Sequence, residues 1–211
     1  MKREDRIRTA SLVCSILIAA ILTAWVCVQR GLLVEERAEQ TVRELSWQVL
    51  RFHVLADSDD VRDQQVKLQV KEAVIAYLKE EMGTGRTLRE TRDFIASHLD
   101  EITATAEGAA REAGSTARVT AALTREKFPE KTYGDVTFPP GEYEALKLRI
   151  GSGNGRNWWC CLYPNLCFTD AVHAVVDPED KSRLASVLDE DAYDMLTSTT
   201  DIRIKWFFLE Q

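Results

Sequence analysis

Cys160, Cys161 and Cys167 crowd into eight residues and are the densest set of nucleophile- and metal-type side chains in the chain. With His53 or His173 as base, and Asp170 or Asp59 to orient the ring, one of them would make a thiol nucleophile. The same cysteines with His173 would suit zinc by ligand type. Adjacent cysteines in a strand point to opposite faces, however, which disfavours a closed zinc site. Nothing in the spacing brings a histidine to a thiol. Three is also an odd number, so the blander use is one disulfide and one thiol left over. Either Cys160 or Cys161 reaches Cys167 across the Tyr163-Pro164-Asn165 turn.

Other chemistries find less support. Gly151, Gly153 and Gly155 precede Trp158 instead of opening a periodic helix, and no lysine followed by Ser or Thr accompanies them, so they read as a hairpin connection and not a phosphate loop. Asp57, Asp59, Asp60 and Asp63 lack the glycine and terminal glutamate of a calcium loop and read as caps for the next helix. His53 sits near this acidic turn, where a carboxylate or backbone carbonyl would satisfy it; His98 reads as solvent-facing and His173 as a core-edge residue. No HExxH pattern or serine-nucleophile elbow is present. Trp158 and Trp159 are strand neighbours, so one faces the core while the other is placed to anchor a protein partner.

These residues need a frame. Residues 49 to 56 (VLRFHVLA) read as a strand whose Leu50, Phe52, Val54 and Ala56 face is wholly apolar, alternating with Val49, Arg51, His53 and Leu55. A helix follows from about Asp60 to Met82, with Val66, Val70, Val74 and Tyr77 in its stripe, and a second from about Leu88 to Ala113. Strands are predicted over 117 to 125, 143 to 150 and 158 to 163, a helix after Asp177-Pro178, and a terminal strand in IRIKWFFLE. The short turns between strands favour antiparallel pairing. The expected fold is α+β: a single domain with an antiparallel or mixed sheet packed against about three helices.

The N-terminus is of another kind. LVCSILIAAILTAWVCV, residues 12 to 28, follows Lys2, Arg3, Arg6 and Arg8, the pattern of an export signal or an uncleaved membrane anchor that places the remainder outside. The organisation is therefore an anchor or signal over 1–30, a helical stalk or linker over 31–47, and an extracytoplasmic domain over 48–211. Lys and Arg number 27 against 34 Asp and Glu, a net charge of −7, and no basic stripe is present, which argues against nucleic acid. No cofactor and no small-molecule substrate is expected.

Two blocks, RFHVLADSDDVRDQQVKLQVKEAV (51–74) and FPPGEYEALKLRIGSGNGRNWWCCLYPNLCF (138–168), closely resemble the stage II sporulation protein R family of endospore-forming bacteria. The positions carrying the resemblance are His53, Ser58, Asp59, Gln64, Gly141, Tyr143, Gly151, Asn157, Trp158, Trp159, Cys160, Pro164 and Cys167. The chain departs from the family pattern with Asp57 for an asparagine, Cys161 for an apolar residue and Asn165 for a second proline. The resemblance implies a non-enzymatic signalling protein, exported from the forespore into the space between the two membranes. There such a protein is needed to activate a membrane-embedded aspartic protease in the mother cell, which processes a sigma-factor precursor. The competing reading is an envelope hydrolase using one of the three cysteines with a histidine.

Overall fold

The computed structural model describes residues 3–83, 85–164, 176 and 178–197. They divide into two compact units, split between Thr41 and Val42. The first lies within helix α1 (Arg3–Gln48). From Ser11 onward this helix is long and apolar enough to cross a membrane, and Leu12, Ile16, Ile21 and Trp25 are all exposed along it. Side chains with no protein neighbour along so apolar a run have lipid as their natural solvent.

The second unit begins with the last turns of α1 and carries the sheet. Its strands are β1 (Leu50–Leu55), β2 (Val119–Phe128), β5 (Gly141–Ile150) and β6 (Asn157–Tyr163), in the order β2-β5-β1-β6. β3 (Lys131–Tyr133) and β4 (Val136–Phe138) form a separate hairpin turning at Gly134. The expected α+β class holds, and the sheet is mixed: β1 runs parallel to β5 and antiparallel to β6, while β2 is antiparallel to β5. The parallel pair exists because three helices, α2 (Val61–Met82), α3 (Leu88–Ser97) and α4 (Leu99–Glu112), intervene between β1 and β2 and carry the chain across the sheet.

Those helices cover one face. Phe52 and Val54 of β1, Leu146 and Leu148 of β5 and Leu162 of β6 meet Val66, Val70, Val74 and Leu78 of α2 and Ile102 and Ala106 of α4 in one cluster. Each large side chain so buried contributes about 1.5–3 kcal/mol. The small Ala106, Ala109 and Ala110 let α4 lie close against the layer beneath.

The single helix predicted over 88–113 is two helices. Ser97 Oγ donates to the carbonyls of Asp93 and Phe94, and His98 Nδ1 lies 2.8 Å from the Phe94 carbonyl oxygen, so side chains take over acceptors at the break. His98 is consequently half-buried and stacked on Phe94 at 3.9 Å, not solvent-facing. The α3 start is fixed by a capping box between Thr87 and Glu90.

The second face of the sheet is covered as well. Leu45 from α1, Val49, Val136 and Phe138 from the hairpin, Leu184 and Leu188 from the α5 region (Pro178–Val187) and Ala192 and Leu196 from a helical stretch over 190–197 form a second cluster. The helix expected after Asp177 is thus broken near 188–189. The predicted strand over 202–209, together with Cys167, Asp170, His173 and Asp177, lies outside the described residues.

Candidate functional site

Two constellations gather the residues singled out by sequence. The first is a clasp between the loop after β1 and the glycine turn after β5. Asp57 Oδ1 accepts from the Ser152 amide (2.7 Å), and the Asp57 carbonyl accepts from Ser152 Oγ and the Asn154 amide. Asp59 Oδ1 accepts from the Arg156 amide at 2.7 Å. Ser58 Oγ donates to Asp63 at 2.6 Å, Gln64 Nε2 donates to the Ser58 carbonyl, and Lys67 Nζ links Gln64 to the Arg156 carbonyl. The acidic turn therefore holds the glycine turn, and Asp60, the residue preceding α2, makes no side-chain cap bond; this corrects the reading of these carboxylates as helix caps.

The glycines are there for room. A Cβ on Gly151, whose φ is +55°, would sit 2.4 Å from Asp57 Cγ, and one on Gly155 would sit 2.2 Å from the Ser58 carbonyl oxygen. Only glycine lets the two loops approach this closely.

The second constellation lies on the sheet face away from α2 and α4. Residues in register across the strands share a face, which groups Lys147, His53 and Trp159 in one row and Ala145, Arg51 and Cys161 in the next. The sequence pattern assigned burial only to the opposite face of β1. The structure buries both, with Arg51 0% and His53 2% exposed, because β1 is flanked on each side by another strand and capped by the second cluster.

Arg51 has no carboxylate partner among the described residues. Its Nε donates to the Cys160 carbonyl and its Nη2 to Tyr133 Oη, both at 3.1 Å, while Nη1 has no partner. The guanidinium lies 4.6–5.9 Å from the ring centres of Phe138, Phe128, Tyr143 and Tyr133, so four aromatic faces stand where a counter-ion would. Burial pushes the Tyr133 and Tyr143 hydroxyls up to about 12, which keeps them neutral beside the cation.

His53 stacks on Trp159 at 5.0 Å with 7° between planes and meets Phe128 at 5.3 Å. Neither ring nitrogen has a hydrogen-bond partner, so the expected carboxylate or carbonyl is not what holds it. Burial drives its pKa down to about 4; Glu126 opposes this, and Lys147 and Arg51 add to it.

These positions decide what chemistry is possible. Cys160 is in a disulfide, and Cys161 carries a buried free thiol whose pKa burial pushes up to about 12. Cys161 Sγ donates to the Tyr163 carbonyl at 3.0 Å, and His53 makes no hydrogen bond to it. A protonated thiol with no base at hand is a poor nucleophile. Among the described residues no cluster of His, Cys, Asp or Glu could hold a metal ion.

The remaining motif residues are structural neighbours of these two sites. Tyr143 is fully buried and donates to the Pro139 carbonyl at 2.8 Å; Gly141 leaves space for Val42 and the Tyr143 ring. Trp158 and Trp159 are both half-buried, on opposite faces of β6: Trp158 meets Phe52 edge-on, with Lys71 5.3 Å from its ring centre. Asn157 ends the clasp, and its Oδ1 is buried without a partner. Pro164 is buried, after a cis peptide bond from Tyr163. Sequence reasoning missed Tyr133 and Phe128, whose aromatic character was the available signal, and the counter-ion-free state of Arg51, for which single-sequence periodicity carries no signal.

Residues 46–173, covering both constellations, match the family described as Stage II sporulation protein R (spore_II_R). The chain belongs to that family. It is 36% identical to the Stage II sporulation protein R of Bacillus subtilis (strain 168) over 156 residues, 72% of this chain and 70% of that protein. No solved structure matches it. Family membership makes this a sporulation signalling protein, not an enzyme, of the kind that triggers processing of a pro-sigma factor through a membrane protease. Together with the apolar helix it makes the protein membrane-associated and extracytoplasmic.

Proposed function

We propose that the domain acts by binding alone: in the space between the forespore and mother-cell membranes it engages a membrane-embedded aspartic protease and favours its active state. A ligand that prefers one of two states shifts their balance by its differential affinity and needs no bond-making chemistry. The family match across the folded unit carries this reading. Its organisation is an anchor or signal over 1–30, a stalk over 31–47 and the binding domain over 48–211. The motif residues serve it in two ways. His53 and Tyr143 on the second face, Cys160 on the face covered by α2 and α4, and buried Pro164 after β6 set the sheet from within, while Ser58, Asp59, Gln64 and Gly151 fix the clasp beside Asn157, the first residue of β6. Trp158 and Trp159, half-buried, retain surface that a partner can touch; Gly141 and Cys167 complete the motif.

The test is processing of the sigma-factor precursor in non-sporulating cells that also make the cognate membrane protease. Processing should appear only when this protein is present. Its absence, with all three proteins shown to be made and localised, would remove the direct-activator account.

A further inference from the structure

β2 is an end strand of the sheet, ten residues long, and no described residue pairs with its outer edge. The backbone N–H and C=O groups there form a ready template for another strand. Proteins usually guard such an edge with proline, charge or a bulge. The first half of β2, VTAALT, has no proline and no charge, and its register with β5 is unbroken from Val119 to Phe128. Charge enters only at Arg125, Glu126 and Lys127. Glu126 is bonded to Lys147 at 2.7 Å and Arg125 pairs with Glu142 at 3.5 Å, while exposed Lys127 has no carboxylate partner among the described residues.

A second observation falls beside the same edge. Trp47 is 68% exposed, although the other large rings among the described residues of this unit are buried or half-buried. The Arg125 guanidinium lies 4.3 Å from its ring centre and is itself held by the Glu142 carbonyl at 3.0 Å and by Ser46 Oγ. An exposed tryptophan braced by a pre-positioned arginine is the residue pairing that dominates protein interfaces. Trp47 also lies roughly 20 residues beyond the apolar run, at most ~70 Å of chain, so the edge stays within reach of a membrane neighbour's exterior part.

We propose that the membrane protease docks here, adding one extended segment of its exterior part to the outer edge of β2 and covering Trp47 with an apolar side chain; this rests on the function proposed above. Main-chain hydrogen bonds along β2 supply affinity, and Trp47 and Lys127 supply selection. The segment carries an acidic residue opposite Lys127. A second copy of this chain fits less well, because the only carboxylate on β2, Glu126, is already committed to Lys147.

The experiment uses the full chain in the co-expression assay. Trp47→Ala and Lys127→Glu should each lower processing roughly tenfold, Trp47→Phe should keep most of it, and Lys79→Glu on exposed α2 surface should change nothing. A photo-crosslinking p-benzoylphenylalanine at exposed Ala122 should yield an adduct with the protease, and the same group at Lys79 should not. Normal processing by both Trp47→Ala and Lys127→Glu would overturn the proposal. So would an Ala122 adduct found only within the chain's own residues 198–211 or with a second copy. If the unaltered protein drives processing while these outcomes appear, the edge is wrong and the activator role stands; if the unaltered protein fails, the activator role itself falls.

Discussion

Replacing His53 with phenylalanine isolates one buried ionisable group. Its ring is 2% exposed, stacked on Trp159, and its nitrogens have no partners. Folding lowers its pKa from 6.5 to about 4. Between those values the unfolded chain binds the proton and the folded one does not, so stability rises with pH across the window. The contribution is fully present above pH 6.5 and is lost as pH falls towards 4. At 1.36 kcal/mol per pKa unit, the loss on going from neutral pH to below 4 is about 3 kcal/mol. Phenylalanine keeps the ring stack and removes the proton site and two unpaired polar atoms, so at pH 7 it should be neutral or stabilising by about 1 kcal/mol. The assay is urea unfolding of the full chain in micelles, followed by tryptophan fluorescence, at several pH values from 7 to 4. Carboxylates titrate in both proteins, so the wild-type minus variant difference is the quantity to follow. It should fall by about 3 kcal/mol as pH drops. A flat difference would refute the claim that His53 is buried neutral.

Other consequences follow from particular contacts. Arg51→Ala should cost roughly 3–5 kcal/mol in urea unfolding, since it empties a fully buried site lined by four rings, and Arg51→Met, which refills the space, should cost much less. Gly155→Ala should lower the melting temperature by forcing the Ser58 backbone away, whereas Gly108→Ala, with nothing within 4 Å in mid-α4, should stabilise by about 0.5–1 kcal/mol. Cys161 should resist an aqueous thiol reagent at pH 8 until the domain is unfolded, because its thiol is buried and protonated there; rapid labelling of native protein at that position would contradict the geometry.

The apolar alternation of Leu50, Phe52 and Val54, and the stripe of Val66, Val70 and Val74, were legible because burial against water leaves a period in the sequence. The same logic failed for Arg51 and His53. Polar side chains normally mark a wet face, and these two are buried by β5, β6 and a second cluster that come from remote stretches of chain. The break at His98 and the use of Asp57 and Asp59 as acceptors for the glycine turn depend on hydrogen bonds whose partners periodicity does not register, and in the second case those partners are nearly a hundred residues away. The parallel β1–β5 pair was hidden for a related reason, since it joins strands separated by three helices. The cysteines were half legible: strand alternation puts Cys160 and Cys161 on opposite faces, but it carries no signal for which of them is oxidised, and the structure has Cys160 in a disulfide and Cys161 free.

The central claim is that an exported domain activates a membrane protease by contact. Its most direct measurement is precursor processing in non-sporulating cells that make the protease with either the full chain or a form lacking residues 1–30 and so retained in the cytoplasm. The account predicts processing with the full, exported chain and none with the retained form. Processing driven equally by the retained form, or none with the exported chain, would contradict it.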